Sequence, residues 1–129
     1  MFTLDQINEA HSKVRSGADF PQYIKDLLSL GVLKYSICVC DGHAEYIGKE
    51  DYSIHSKAEY PILHIASEID SGNFKYHLKA HQQGETDYLT FCRNSAEAGV
   101  NKWTVDILAK TCTYYDRSGN LVLEEKIPI

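Results

Sequence analysis

The spacing of apolar residues near the start of the chain predicts two helices. Thr3 with Gln6 three positions later is a capping-box pattern, and the apolar positions that follow recur at helical spacing, which predicts a helix over about 3–15. A second amphipathic segment predicts a helix over about 20–30, because a proline lies in its first turn and Gly31 marks its end. The chain therefore begins with a pair of helices.

Beyond this pair, the apolar residues alternate with polar ones, which is typical of strands. The alternation starts at Val32, and Asp41-Gly42 is typical of a two-residue hairpin turn. We therefore predict a strand, a tight turn and a returning strand through Tyr46. A third strand is predicted around Ile54, and the apolar run within 62–65 predicts a fourth.

The second half of the chain repeats the pattern of the first at an offset of 68 residues. The string Gly31-Val32-x-Lys34-Tyr35 falls on Gly99-Val100-x-Lys102-Trp103, and the match continues without a gap through the strands. Chance similarity between segments of equal secondary structure is the alternative, but the coincident Gly, Val and Lys residues favour a duplication. We therefore predict two helix-helix-strand-strand-strand units, residues 1–66 and 67–129.

Together these elements predict an α+β fold in a single domain, 1–129. We expect one antiparallel sheet with the helices packed on one of its faces. A unit of about 65 residues buries only roughly 60% of the surface that its unfolded chain exposes, so the two halves are expected to share one core. The predicted symmetry also places a groove at the seam between the halves, which is a place for a ligand or a partner.

Composition and charge limit the kinds of function that the sequence supports. The 129 residues are 43% hydrophobic and 24% charged, the balance of a folded globular protein, and the net charge is −5. The basic residues are scattered singly, which argues against a nucleic-acid partner. Without a long apolar stretch or a leader-like start, we expect a cytoplasmic protein that binds no membrane. The four cysteines follow no secreted framework and are expected to be reduced.

The densest group of reactive residues lies at the predicted hairpin turn. With a two-residue turn, Cys40 would lie opposite His43 and Cys38 opposite Glu45, all on one face of the hairpin. Two thiols and an imidazole are sensible zinc ligands. Their spacing matches no common zinc signature, however, and two cysteines at i and i+2 on a strand are poorly placed for a disulfide. We therefore expect no metal and no cofactor, and keep Cys38, Cys40 and His43 as metal candidates.

Two histidines and a tyrosine are the other candidates. His77 and His81 have the spacing of zinc-binding histidines on a helix, but the glutamate of that motif is missing and the pair shares a stripe with apolar residues. We interpret them as core-facing or boundary histidines. Because neighbouring strand residues point to opposite faces, only one of Tyr114 and Tyr115 can face the core, and we expect Tyr115 to face solvent or a partner.

No motif for enzymatic chemistry is recognisable. Nothing matches a phosphate-binding loop, a nucleophile elbow or a dinucleotide fingerprint, and the glycines are explained as helix terminators: Gly17, Gly31, Gly84 and Gly99. The sequence therefore favours a protein that is not an enzyme.

Several strings in the sequence carry a family resemblance. The opening MFTLDQINEAHSKVRSGADFPQYIKDLLSLGV, the Cys40-Asp41-Gly42-His43 hairpin, the stretch KAHQQGETDYLTFCRNSAEAGVNKW, and CTYYDRSGN with the ending EEKIP resemble the YdfO/YbcV-like family of uncharacterised enterobacterial prophage proteins. The resemblance implies a small cytoplasmic protein encoded by a prophage. The family is sometimes labelled phage envelope protein. No catalytic or binding residue carries over from it.

These observations lead to three functional hypotheses. The first is a non-enzymatic accessory protein that binds a protein partner through the hairpin face or the seam, because aromatic strands and an acidic surface suit protein recognition. The second is a small-molecule binder or minor enzyme at the seam, using His77, His81 or Cys40. The third, a component of the phage virion, rests only on the family label. The sequence leaves the oligomeric state open.

Overall fold

In the part of the chain that the structure describes, each half forms two helices followed by three strands. The computed structural model describes residues 1–15 and 19–127, so the predicted terminator Gly17 and the last two residues of the second predicted unit lie outside the described residues. The first half contains α1 (Leu4–Ser12), α2 (Phe20–Leu30), β1 (Lys34–Cys38), β2 (Ala44–Ile47), a 3₁₀ turn (Lys49–Asp51) and β3 (Ser53–His55). The second contains α3 (Ser71–Gln82), α4 (Tyr88–Glu97), β4 (Val100–Asp106), β5 (Thr111–Asp116) and β6 (Leu121–Lys126).

Local sequence signals set the ends of the helices. The Thr3 side chain accepts the Gln6 backbone N–H while the Gln6 side chain returns to the Thr3 N–H, so the predicted capping box is confirmed. Helix α2 ends at Gly31, whose φ of 104° is the left-handed conformation that glycine adopts without a steric penalty. Asp87 caps α4 through the Thr90 backbone N–H at 2.7 Å.

The six strands form one antiparallel sheet in the order β3-β2-β1-β4-β5-β6. The two halves therefore meet where β1 pairs with β4. At the centre of this pair Ser36 lies directly opposite Thr104, its counterpart in the second half, and their hydroxyl oxygens are 2.7 Å apart. The sheet order is unchanged when β1–β3 are exchanged with β4–β6, as expected for duplicated units. The duplication itself stays a prediction.

One hydrophobic core lies between the helices and one face of the sheet. It draws on both halves: Ile24 and Leu27 of α2 are fully buried, as are Phe74 of α3 and Val100 of β4. The strands contribute alternate residues, which leaves the intervening side chains on the other face only partly covered. The prediction of an α+β single domain with helices on one sheet face is thereby confirmed.

The segment that joins the halves differs from the prediction. Residues 56–70, here called the connecting segment, contain no strand, so the fourth strand predicted within 62–65 was wrong. Its first residue still donates to β2, through the Ser56 N–H to the Ala44 carbonyl, but the N–H groups of residues 59–70 that form backbone hydrogen bonds donate to the hairpin turn and to the end of α4. The Leu63 N–H donates to the Cys40 carbonyl at 2.6 Å, and the Ala66 N–H donates to the Ala96 carbonyl at 2.9 Å. The segment thus passes from the first half to the second along the β1–β2 hairpin.

The helices are short. The longest in the described ranges, α3, has 12 residues, and no helix there has the length and apolar character needed to cross a membrane.

Candidate functional site

The turn after β1 brings two thiols and a carboxylate together. The sulfur atoms of Cys38 and Cys40 are 3.1 Å apart, and these atoms and a carboxylate oxygen of Asp41 all lie within 4.8 Å of one another. All three residues are half-buried. Within residues 1–15 and 19–127 this is the one place where three potential metal-ligating side chains converge. We refer to Cys38, Cys40 and Asp41 as the thiol cluster.

The turn is longer than the sequence predicted. The Cys38 N–H donates to the His43 carbonyl at 3.0 Å, so Cys38 lies opposite His43 and residues 39–42 form the loop. The predicted pairing of Cys40 with His43 and of Cys38 with Glu45 was therefore wrong. Because Cys40 lies in the turn, the chain curls and its sulfur reaches that of Cys38. The sequence placed both cysteines on one strand, whereas β1 ends at Cys38; both cysteines are free thiols.

Contacts from outside the hairpin determine this loop. The Val39 N–H donates to the Asn101 carbonyl at 2.9 Å, which keeps Val39 beside β4 instead of in the β1–β2 ladder. The Tyr60 hydroxyl donates to the Val39 carbonyl at 2.5 Å. Gly42 has a φ of 78°, and a Cβ atom there would lie 2.7 Å from the Tyr60 ring. The connecting segment therefore closes over the turn and fixes the thiol cluster in position.

The electrostatics of the cluster oppose a reactive thiolate. Burial, followed by the hydrogen bond and charge of Cys38 and the charge of Asp41, raises the pKa of Cys40 to about 12. Partial desolvation raises the pKa of Asp41, but hydrogen bonds from His43 outweigh it, so the net pKa lies below its ordinary value. Asp41 Oδ1 lies 3.0 Å from the His43 backbone nitrogen and 2.6 Å from its Nδ1. Cys40 is therefore a protonated thiol beside an ionised carboxylate at neutral pH.

The sheet face opposite the core, which we call the outer face, carries three rows of side chains. The row farthest from the thiol cluster contains Lys34, Asp106 and Lys126. The central row is polar and consists of three contacts. His55 Nε2 lies 3.3 Å from Glu45 Oε2, the Ser36 and Thr104 hydroxyls meet as described, and Thr113 Oγ1 donates to Glu124 Oε1 at 3.0 Å. This row crosses all six strands and satisfies its own polar groups.

The third row lies beside the thiol cluster and has a different character. Strand register places Cys38 opposite Lys102, Lys102 opposite Tyr115, and Tyr115 opposite Leu121. The Lys102 Nζ lies 5.4 Å from the centre of the Tyr115 ring, and Leu121 is 59% exposed. We call Lys102, Tyr115 and Leu121 the Tyr115 row. It combines a cation, an aromatic ring and an exposed apolar side chain.

Comparison with models of protein families shows which family the chain belongs to. A family model described as protein of unknown function, DUF1398, matches residues 8–126. The chain belongs to the DUF1398 family. A search of curated proteins found no match. The matched range includes the thiol cluster and most of both halves of this DUF1398 chain, while the narrower resemblance to YdfO/YbcV-like prophage proteins stays a prediction.

The two helix histidines of the DUF1398 protein are accounted for by packing. The His81 ring stacks on Phe91, with centroids 4.5 Å apart and planes 10° from parallel, and its Nδ1 lies 3.1 Å from the Thr86 carbonyl oxygen. His77 is half-buried and contacts the Tyr76 ring edge-on. These contacts agree with the interpretation of boundary histidines, and a ligand role for them has no support from a third side chain among the described residues.

The orientation of the tyrosine pair is as the sequence indicated. Tyr114 is buried, with its ring 5.0 Å from that of Phe74, whereas Tyr115 is half-buried on the outer face. The binding role of Tyr115 stays a prediction.

At the sheet, no groove separates the two halves. Strands β1 and β4 hydrogen-bond directly along five register pairs, from Lys34↔Asp106 to Cys38↔Lys102. A shallow recess elsewhere is lined by residues of the first half alone, including Thr3 and Tyr52. A small-molecule site between β1 and β4 would therefore have to open this strand pairing.

Sequence reasoning overlooked two residues of the site. Asp41 was read only as a turn residue, although its position directly after Cys40 was a signal that a carboxylate would accompany the thiols. Tyr60 carries no local signal, because its contact with the turn depends on the path of the connecting segment.

Proposed function

We propose that this DUF1398 protein is not an enzyme and acts by binding another protein through the outer face of its sheet, at the Tyr115 row. The observation that carries the proposal is the row itself. Lys102, Tyr115 and Leu121 lie side by side on three adjacent strands, on the face that the helices leave uncovered.

The chemistry of the row defines the partner surface that would fit it. Tyrosine contributes a large contact area with little loss of conformational entropy. Aromatic residues are also enriched among the interface residues that contribute most of the binding free energy. Tyr115 and Leu121 suit an apolar side chain of the partner. Lys102, in an otherwise acidic protein, suits a carboxylate and would orient the partner electrostatically.

The shape of the outer face supports a macromolecule over a small ligand. Small-molecule sites are concave and enclose most of their ligand, whereas a sheet face presents an extended surface. The net charge of −5 and the scattered basic residues support a protein partner over nucleic acid. We further propose a cytoplasmic location in a bacterial host and an origin in a prophage, both from the sequence resemblance.

Affinity capture with matched variants tests the proposal. Tagged wild-type protein is incubated with bacterial lysate beside Tyr115→Ala, Lys102→Glu and the control Tyr76→Ala. Tyr76 is a suitable control because it lies on α3 and is 70% exposed. We expect one protein to be retained by wild type and Tyr76→Ala, and its recovery to fall at least about tenfold with both variants of the Tyr115 row.

Three results would contradict the proposal. One is equal capture by all four proteins, and another is recovery of nucleic acid in place of a protein. The third is retention only on assembled phage particles, which would favour a virion component. Equal melting temperatures of the four proteins establish that any loss reflects the surface and not unfolding.

A further inference from the structure

The geometry of the thiol cluster points to a Zn²⁺ site that uses Cys38, Cys40 and Asp41 as ligands. The claim is separate from the proposed partner, because it concerns what the chain binds on its own. Two cysteine sulfurs and a carboxylate oxygen that all lie within 4.8 Å of one another form a ligand set that zinc accepts.

The ligand distances fit a tetrahedral site after a small adjustment. With Zn–S bonds of about 2.3 Å, two sulfurs on a tetrahedral zinc ion are about 3.8 Å apart. The sulfurs of Cys38 and Cys40 are 3.1 Å apart. They need to separate by only about 0.7 Å, which side-chain rotation accommodates without moving the backbone.

The mixture of ligands selects the metal. Thiolates favour zinc and cuprous copper, whereas a carboxylate suits harder ions, so a set with both favours the borderline Zn²⁺. The carboxylate also distinguishes a metal site from a redox dithiol. A Cys38–Cys40 disulfide would need an oxidant and has no use for Asp41, whereas a cation uses all three groups.

The surroundings meet the requirements of a metal site. His43 donates its backbone N–H to Asp41 Oδ1, and its Nδ1 lies 2.6 Å from the same oxygen, as second-layer partners of metal ligands do. The Leu63 N–H holds the Cys40 carbonyl, and the Glu59 N–H holds that of Asp41 at 2.8 Å. The backbone bearing the ligands is therefore fixed before metal binds, which reduces the entropic cost of binding.

Binding must displace protons from the thiols. Each cysteine that ligates as a thiolate releases one proton to the solvent, so affinity should increase with pH. Three protein ligands leave one tetrahedral position open for water or for an atom of another molecule. Cys38, one of the three ligands, lies beside the Tyr115 row, because it is directly opposite Lys102.

A metal titration on the full chain tests the site. Reduced, metal-free protein is titrated with Co²⁺, whose thiolate complexes absorb in the near ultraviolet, and then with Zn²⁺ in competition. We expect one metal per chain, an absorption intensity corresponding to two thiolates, and displacement of cobalt by zinc. Elemental analysis after gel filtration gives the zinc stoichiometry.

Variants assign the ligands. Cys38→Ser and Cys40→Ser should abolish the absorption, Asp41→Asn should weaken binding at least about tenfold, and His43→Ala should weaken it about tenfold. Cys112→Ser is the matched control, because Cys112 is a half-buried thiol on β5 away from the cluster, and binding should be unchanged. Far-ultraviolet circular dichroism confirms that each variant is folded.

A second measurement needs no variant. In wild-type protein, zinc should protect Cys38 and Cys40 from alkylation and leave the rate at Cys112 unchanged, as measured by peptide mass spectrometry. The inference is overturned if reduced wild-type protein binds no stoichiometric metal, or if Cys38→Ser and Cys40→Ser bind it as tightly. It is also overturned if the cysteines form a disulfide in air and take up no metal after reduction.

Discussion

The helix terminators Gly31 and Gly99 offer a test of how the connecting segment packs. They lie 68 residues apart at equivalent places in the two halves, and both have left-handed backbones, with φ values of 104° and 93°. A Cβ at Gly31 would meet only a Phe2 ring atom at 3.8 Å, an ordinary contact. At Gly99 it would lie 2.6 Å from the Glu68 carbonyl oxygen and 3.0 Å from the Ile69 Cα.

The two alanine substitutions should therefore differ in cost. Each incurs the left-handed penalty of an L-residue, about 1–2 kcal/mol. Gly99→Ala adds a clash with backbone atoms that no side-chain rotation relieves, and overpacking of this kind costs about 1–3 kcal/mol. We expect Gly31→Ala to lower the free energy of unfolding by about 1–2 kcal/mol and Gly99→Ala by about 2–5 kcal/mol.

Urea denaturation measures the decrease in unfolding free energy for both variants. The single tryptophan, Trp103, is buried at the inner face of β4 and reports unfolding by its fluorescence. Equal losses for the two variants would refute the close packing of residues 68–69 on the end of α4. A larger loss for Gly31→Ala would refute it more strongly.

Further predictions concern the seam, the turn and the shared core. Ser36→Ala and Thr104→Ala should each lower the free energy of unfolding, measured by urea denaturation, by about 0.5–1.5 kcal/mol. A double-mutant cycle should show that the two effects are coupled, and additive effects would contradict the hydroxyl contact. Because hydrogen bonds from His43 lower the pKa of Asp41 despite desolvation, the stability they provide is present above about pH 4 and lost as pH falls through the folded-state pKa. With chelator present, Asp41→Asn should weaken the dependence of the unfolding free energy on pH in the acid range. An unchanged pH dependence would contradict the stabilising role of the ionised Asp41 carboxylate. Residues 1–66 expressed alone should show no cooperative thermal transition, whereas a sharp one would disprove the shared core.

The elements that the sequence predicted correctly depend on local signals. The capping box at Thr3 lies within one turn of helix and is satisfied within it, so α1 was predictable, although it ends at Ser12 and not near 15. Strand alternation likewise predicted that Tyr114 and Tyr115 face opposite sides of the sheet. Such features require no knowledge of distant residues.

The features that the sequence missed depend on distant contacts. The length of the Cys38–His43 loop follows from the hydrogen bond between Val39 and Asn101, which are remote in sequence. The apolar run within 62–65 has the local pattern of a strand. Its hydrogen-bond partners are distant in sequence, however: the Leu63 N–H donates to the Cys40 carbonyl, and the Ile65 carbonyl accepts from the Arg117 side chain. The repeat predicted two equivalent halves but did not specify that they join by strand pairing, which closes the expected groove.

Site-specific photo-crosslinking is the most direct test of the claim that the outer face binds a protein. The proteins Tyr115→p-benzoylphenylalanine and Tyr76→p-benzoylphenylalanine are expressed in bacteria, irradiated and purified under denaturing conditions. We expect one discrete protein adduct at position 115 and none of that mass at position 76. Adducts at position 76 alone, or no adduct at position 115 while the full chain still captures a partner, would contradict it.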